Sequence, residues 1–361
     1  MVKTDLPAGS TPANGSAVPT KARQYFLPKL DGVHNLAVRE FDVPLPKANE
    51  VLVKVHAVSL NFRDLTIATG TYRGPKHENL VPCSDMAGEV VVVGDDVEKW
   101  TVGDRVCANF SQAHLHGDIT PETANTALGG SLEGVLTEYR AFPADSLVRV
   151  PQYLTYEEAS TLPCAALTAY NALHGPTPIK GGDWVLVQGT GGVSIFGLQI
   201  AVASGANVIA TSSSDEKLEQ AKRLGANHTI NYKKIPDWEK EVQIITGGRG
   251  VDHIIEVGGP GTLNQSLDAV RMAGWIHVIG FLAGNADVSN VPLKTLFKAA
   301  IVRGILIGSR TQFEDMNRLF SARQIHPVVD KVFDFEQAQE AYKHLESQKH
   351  IGKIVIKVSR Q

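Results

Sequence analysis

The chain has 361 residues, more than one hydrophobic core ordinarily supports, and 43% of them are hydrophobic, so two domains are expected. With 35 Lys and Arg against 38 Asp and Glu the formal charge is −3, which gives no electrostatic reason to expect nucleic acid or an anionic membrane as a partner and points to a small or neutral ligand. No apolar run approaches the ~18 to 20 residues that span a bilayer, and the first residues lack the apolar centre of a signal peptide, so a soluble cytoplasmic protein is expected. The thiols of Cys83, Cys107 and Cys164 are too few and too scattered for a disulfide framework or a zinc ribbon.

Residues 1–22, rich in Pro, Ala, Gly, Ser and Thr without a hydrophobic period, are expected to form a disordered leader. From there to about residue 152 short alternating segments follow, such as "EVLVKVHAVSL", "GEVVVVG" and "DRVCANF", and predict an irregular β-rich domain. After Pro151 the texture changes: "TYEEASTLPCAALTAYNALHG" has helical spacing with a cap at Thr155, and strands and helices then alternate from "WVLVQ" to "RGILIGS". Such alternation predicts an α/β fold, a doubly wound parallel sheet with crossover helices, over residues 153–311. Residues 312–361 predict two helices and two strands that return to the first domain.

The stretch "VLVQGTGGVSIFG" carries the first functional signal. In a dinucleotide loop one glycine allows the tight turn, a second lets the backbone approach the pyrophosphate, and a third lets the helix pack closely on its strand. Gly189, Gly191 and Gly192 fill the first two tasks; Ser194 stands where the third glycine is expected and performs that task imperfectly. The pyrophosphate is expected at the N-terminus of the following helix.

The second strand, "NVIATSSSDEK", selects between cofactors. An NAD site places a carboxylate at the strand tip for the ribose hydroxyls. Here stand Ser212 and Ser213, whose hydroxyls donate to a 2′-phosphate, with Lys217 to neutralise it and Tyr232 at the next strand tip to close the pocket, so NADPH is the expected cofactor. These serines with Ser214, and Lys217, also suit a helix cap.

"VKVHAVSLNFRD", "PCSDMAGEVVVVG", "LPCAALTAY", "GTGGVSIFG" and "GRGVDHIIEVGG", in that order, resemble the medium-chain dehydrogenase/reductases over nearly the whole chain. The resemblance implies a GroES-like catalytic domain (residues 23–152 and 312–361), a Rossmann domain (153–311), an active site between them and a homodimer joined through the Rossmann sheets. In the zinc-dependent members a Cys, a His and a second Cys hold the metal; the matching positions here are Asn61, Ser84 and Cys164. The lobe that carries four cysteines in those members has none in "SQAHLHGDITPETANTALGGSLEG", and His114 and His116 within it read as a solvated loop.

The chain is therefore most similar to the zinc-free quinone reductase and enoyl reductase branch, and "LNFRD" is similar to a loop of enoyl reductase modules. That implies NADPH-dependent hydride transfer, without zinc, to the activated C=C of a small α,β-unsaturated carbonyl compound: an enone, enal or enoyl thioester. Quinone or aldehyde/alcohol oxidoreduction on the same scaffold is the alternative, and a non-catalytic NADPH-binding sensor or structural protein the reading from another class. Asn61, Arg63, Asp64 and Tyr72 are the candidate catalytic groups, Tyr72 as proton donor, with Cys164 on the pocket wall. Thr168 is expected beside the nicotinamide, and Val193, Gly258, Phe281 and Lys353 complete the cofactor set.

Overall fold

A computed structural model describes residues 18–74 and 77–359. The dinucleotide half is a six-stranded parallel sheet whose spatial order is His228–Asn231, Asn207–Ser212, Trp184–Gln188, Val251–Glu256, Val270–Val278, Ile301–Gly304. In chain order the strands thus run third, second, first, fourth, fifth, sixth, and the direction of winding reverses between the first and the fourth. Ligands bind in the crevice that this reversal opens beyond the carboxyl ends of the strands. Trp184–Gln188 and Asn207–Ser212 are buried over nearly their whole length between the covering helices, which is why residues 185–187 and 208–210 read as apolar runs rather than alternating ones.

The other half centres on Glu50–Ser59, which pairs antiparallel with Asp85–Val93, Tyr139–Pro143 and Lys353–Lys357 in a seven-stranded sheet. The chain returns to it by Val329–Asp334 and Lys353–Lys357, as the sequence predicts. The helix before them, Arg310–Arg323, bridges the two halves: Phe313, Met316 and Phe320 are fully buried in a core that holds Phe196, Leu167 and Leu198 of the dinucleotide half together with Cys107 and Val148 of the β-rich half. The expected boundary at residue 312 falls inside this helix, whose apolar face packs against both halves. Residues 1–17 of the expected leader lie outside the described residues, and its last two, Lys21 and Ala22, already stand in the strand Lys21–Phe26, with Ala22 buried. No helix among the described residues is long and apolar enough to cross a membrane.

The predicted helix after Thr155 is three pieces: Tyr156–Ala159, a wider turn over Leu162–Ala166, and Leu167–His174. Thr155 caps the first as expected, its hydroxyl accepting from the Glu158 N–H at 3.1 Å. Pro163 lacks the N–H that a continuous helix needs, so the break falls there.

The helix Gly192–Ala203 settles the fingerprint's departure. The Ser194 hydroxyl donates to the Gln188 carbonyl at 2.6 Å and pins the helix to the end of its strand. Close packing falls one turn later, on Gly197: a Cβ there would lie 3.1 Å from Ile255 Cγ1 and 3.5 Å from Val187 Cγ1. Gly197→Leu is expected to destabilise the protein by about 1–3 kcal/mol through overpacking, read as a lower urea midpoint at unchanged slope. An unchanged midpoint would refute this assignment.

Candidate active site

A cavity of about 540 Å³ opens between the two halves at the sheet's reversal. Its floor is the glycine loop. Gly189 has φ +71°, a left-handed conformation that favours glycine, and a Cβ on Gly189 or Gly191 would meet only open space. The loop presents the N-terminus of Gly192–Ala203 to the cavity, a cradle that fits a dinucleotide pyrophosphate. It is also stitched to the other half, since the Gly352 N–H donates to the Thr190 carbonyl at 3.0 Å.

Beneath the loop lies a buried polar knot that sequence reasoning missed. Glu256, wholly buried, accepts from the N–H groups of Gly258 and Gly259 at 2.9 Å each, from the Thr262 hydroxyl at 2.5 Å and from Gln188 Nε2 at 2.8 Å. Gln188 Oε1 accepts in turn from the Val257 N–H at 3.2 Å. With these donors in place the carboxyl is hydrogen-bonded in the interior, and it fixes the second loop of the cavity, Val257 and Gly258. A Gln at a strand end and a Glu 68 residues later carry no local signal in sequence.

At one end Ser212, Ser213, Lys217 and Tyr232 line the cavity. The two uses foreseen for the serines are divided among neighbours. Ser214 caps the helix Asp215–Arg223, accepting from the Lys217 N–H at 3.4 Å, and leaves Ser212 and Ser213 to line the cavity. The nearby carboxylate of Asp215 is turned to Lys234 at 2.5 Å and Asn231 at 2.7 Å. Lys217 Nζ donates across to the carbonyls of Gln348 at 2.9 Å and His350 at 2.8 Å, so the C-terminal turn walls this end.

At the other end stand Leu60, Asn61, Phe62, Ala165, Val193 and Lys353. Lys353 is buried, and its Nζ donates to the Leu60 carbonyl at 2.6 Å and to Asn61 Oδ1 at 2.5 Å. Asn61 Nδ2 is buried without a hydrogen-bond partner. Behind them Asp85, wholly buried, accepts from the Ser84 hydroxyl at 2.6 Å and the Cys164 N–H at 3.1 Å. Burial raises its carboxyl above the ordinary range, opposed first by Lys353. Burial likewise pushes Cys164 up, and Asp85 adds to it, so the thiol stays protonated; Ala165 rather than Cys164 faces the cavity.

Five other expected residues lie elsewhere. Arg63 is held over the rings of Phe110 (4.7 Å) and Tyr72 (5.2 Å) and donates to the Leu128 carbonyl at 2.9 Å. Asp64 accepts from the Asn61 N–H at 2.8 Å, capping the helix Phe62–Ala68; burial lifts its carboxyl to about 6 against the pull of Arg63. Neither they nor Tyr72 line the cavity. Thr168 is buried a turn beyond Ala165 and also lies outside the lining. Phe281 is 64% exposed and sits edge-on to Phe62, their ring centroids 6.4 Å apart. His114 is buried, with Nε2 3.0 Å from the Gly117 carbonyl, and so is not part of a solvated loop, while His116 is exposed.

A reversing parallel sheet, a glycine cradle and a cleft against a β-rich partner are the architecture of a dinucleotide-binding protein. The family description "Alcohol dehydrogenase GroES-like domain" matches residues 47–152, and "Zinc-binding dehydrogenase" matches residues 192–322. A zinc-type alcohol dehydrogenase-like protein of Schizosaccharomyces pombe is 48% identical over 337 residues, spanning 91% of this chain and 97% of its own. The 2-haloacrylate reductase of a Burkholderia species is 30% identical over 342 residues, spanning 91% and 96%. A solved structure described as a candidate alcohol dehydrogenase of Sinorhizobium meliloti 1021 superposes with a TM-score of 0.88 at 41% identity, covering 95% of this chain and 100% of that one. The chain belongs to the medium-chain dehydrogenase/reductase superfamily of oxidoreductases.

Proposed function

We propose that the protein is a zinc-independent, NADPH-dependent reductase of the activated C=C of α,β-unsaturated carbonyl compounds. The observation that carries this reading is the buried Lys353 ammonium on Asn61 Oδ1, at the edge of the cavity. At the three positions matched to zinc ligands, Asn61 turns its oxygen to an ammonium and the Ser84 hydroxyl donates a hydrogen bond to a carboxylate, which leaves Cys164 as the one thiol of the set. Zinc needs lone pairs from a deprotonated donor set, so these three side chains do not fit it.

For the cofactor, Gly189, Gly191 and Gly192 would hold the pyrophosphate, and Ser212, Ser213, Lys217 and Tyr232 the 2′-phosphate; reduced nicotinamide, when bound, supplies hydride. Lys353 spends two of its three N–H groups on Leu60 and Asn61. The third remains for the acceptor's carbonyl oxygen, whose charge grows as the β-carbon is reduced. An ammonium polarises less than a metal ion, which favours an acceptor already activated by conjugation. The 2-haloacrylate reductase among the relatives, named for an activated C=C acid, supports the same reaction class.

The same reading takes a homodimer through the edge strand Ile301–Gly304, the last strand of its sheet, beside exposed Leu296 and Phe297. Turnover of NADPH deuterated at the transferring position with a panel of enones, quinones, enoyl thioesters and saturated ketones tests the reaction. Deuterium is expected on the β-carbon of enones. Label on the carbinol carbon of saturated ketones, with enones inert, would remove the proposal.

A further inference from the structure

We propose that His350 completes the 2′-phosphate site and takes up a proton as the phosphate binds, an inference that rests on the NADPH reading. The geometry comes first. His350 lines the cavity with Ser212, Ser213, Lys217 and Tyr232, and its backbone carbonyl is one of the two that hold Lys217 Nζ. Its ring Nδ1 is buried without a hydrogen-bond partner. The ring sits over the helix Ala338–Glu346, 6.2 Å from the His344 ring, in the turn before Lys353–Lys357.

The charged and titratable neighbours are Lys217 from the helix Asp215–Arg223, Asp330 from the strand Val329–Asp334, His344 from the helix beneath, and Lys353 from the strand that follows. Asp330, the one carboxylate among them, is occupied: its oxygens lie 2.7 Å from His344 Nε2 and 3.1 Å from the Ile351 N–H. Burial, with Lys217 next, lowers the His350 imidazole to about 4, so it is neutral at pH 7 and its unpartnered nitrogen lies beside a lysine. A phosphate dianion placed there reverses the balance, since an opposite charge favours the imidazolium. Lys217 has one N–H left after its two carbonyls, and a protonated His350 adds a second charge-assisted donor.

Proton uptake makes binding tighten as pH falls between the complex's imidazole pKa and about 4 in the free protein. The phosphate itself titrates near ~6 and works the other way, so wild type must be compared with His350→Gln. Calorimetry of the intact protein with adenosine 2′,5′-bisphosphate and with AMP, in two buffers of different ionisation enthalpy at pH 6.5, needs no turnover. Wild type is expected to take up protons with the bisphosphate in excess of AMP, and His350→Gln to lose that excess. The substitution should weaken the bisphosphate roughly tenfold at pH 6, less at pH 8, with AMP unchanged. Proton uptake equal in both proteins, or equal weakening of both nucleotides, overturns the assignment while leaving NADPH preference standing. Wild type that fails to prefer the bisphosphate overturns the NADPH reading and this inference with it.

Discussion

Ser213→Glu is expected to invert the cofactor preference: kcat/KM with NADPH falls by roughly 10²- to 10³-fold, about 3–4 kcal/mol, while that with NADH holds or rises. Ser213 lines the cavity with Lys217 and Tyr232, where the 2′-phosphate is proposed to sit, and Asp215, the carboxylate in the same turn, is bound to Lys234 and Asn231 instead. A glutamate at residue 213 faces a 2′-phosphate with like charge and meets the 2′-hydroxyl of NADH with an acceptor. Lys217→Ala alone is a less clean test, because Nζ also joins the halves through Gln348 and His350. Kinetics with both cofactors at fixed saturating acceptor provide the measurement. An unchanged NADPH to NADH ratio would show that the 2′-phosphate lies elsewhere.

The parts of this site that sequence made legible are those whose function is local. A strand, three glycines and a helix follow one another within about twenty residues and form the cradle proposed for the pyrophosphate, and the serines at Ser212 and Ser213 follow from where the next strand must end. Crossover alternation likewise foretold the parallel sheet, because the strands buried on both faces carry apolar runs such as residues 185–187 and 208–210 between helical segments. What escaped depends on contacts far apart in sequence. Glu256 looks like a solvated carboxylate until Gln188, Thr262 and two glycine N–H groups converge on it. Gln348 and His350 belong to a turn whose proximity to Lys217 exists only once the C-terminal strand has docked.

Arg63 and Asp64 show the converse. A charged pair beside a candidate catalytic amide suggests chemistry, yet one side chain packs between rings and the other caps its own helix. Ser194 drew suspicion as a missing glycine, whereas the close approach falls on Gly197 and the serine supplies an anchor that glycine lacks. Lys353, at the start of a strand where a lysine is ordinarily solvated, is buried because its stem runs past Gly192 and its ammonium finds Leu60 and Asn61.

Lys353→Met should lower kcat for enone reduction by about 10²- to 10³-fold, the usual loss when one preorganised donor to a developing oxyanion is removed. NADPH affinity, followed by nucleotide fluorescence, should change little, because the glycine cradle and the phosphate end are untouched. If affinity falls by that factor and kcat holds, Lys353 serves the cofactor's phosphates instead, and the electrophile of the proposed reaction is lost. A stability effect will accompany the substitution and has a calculable sign. Asp64 is lifted by burial from 3.8 to about 6, so its favourable contribution to folding is full below 3.8 and lost as pH rises through about 6. Asp85 is raised in the same direction, and Lys353 opposes the rise at both carboxyls. Without the ammonium both shift further up, so the variant should lose more thermal stability at pH 8 than at pH 5. Adding Asp85→Asn to Lys353→Met removes one unpaired buried charge and should recover stability at pH 8 without restoring kcat. Recovery of both together would mean that Lys353 acts only by holding the fold.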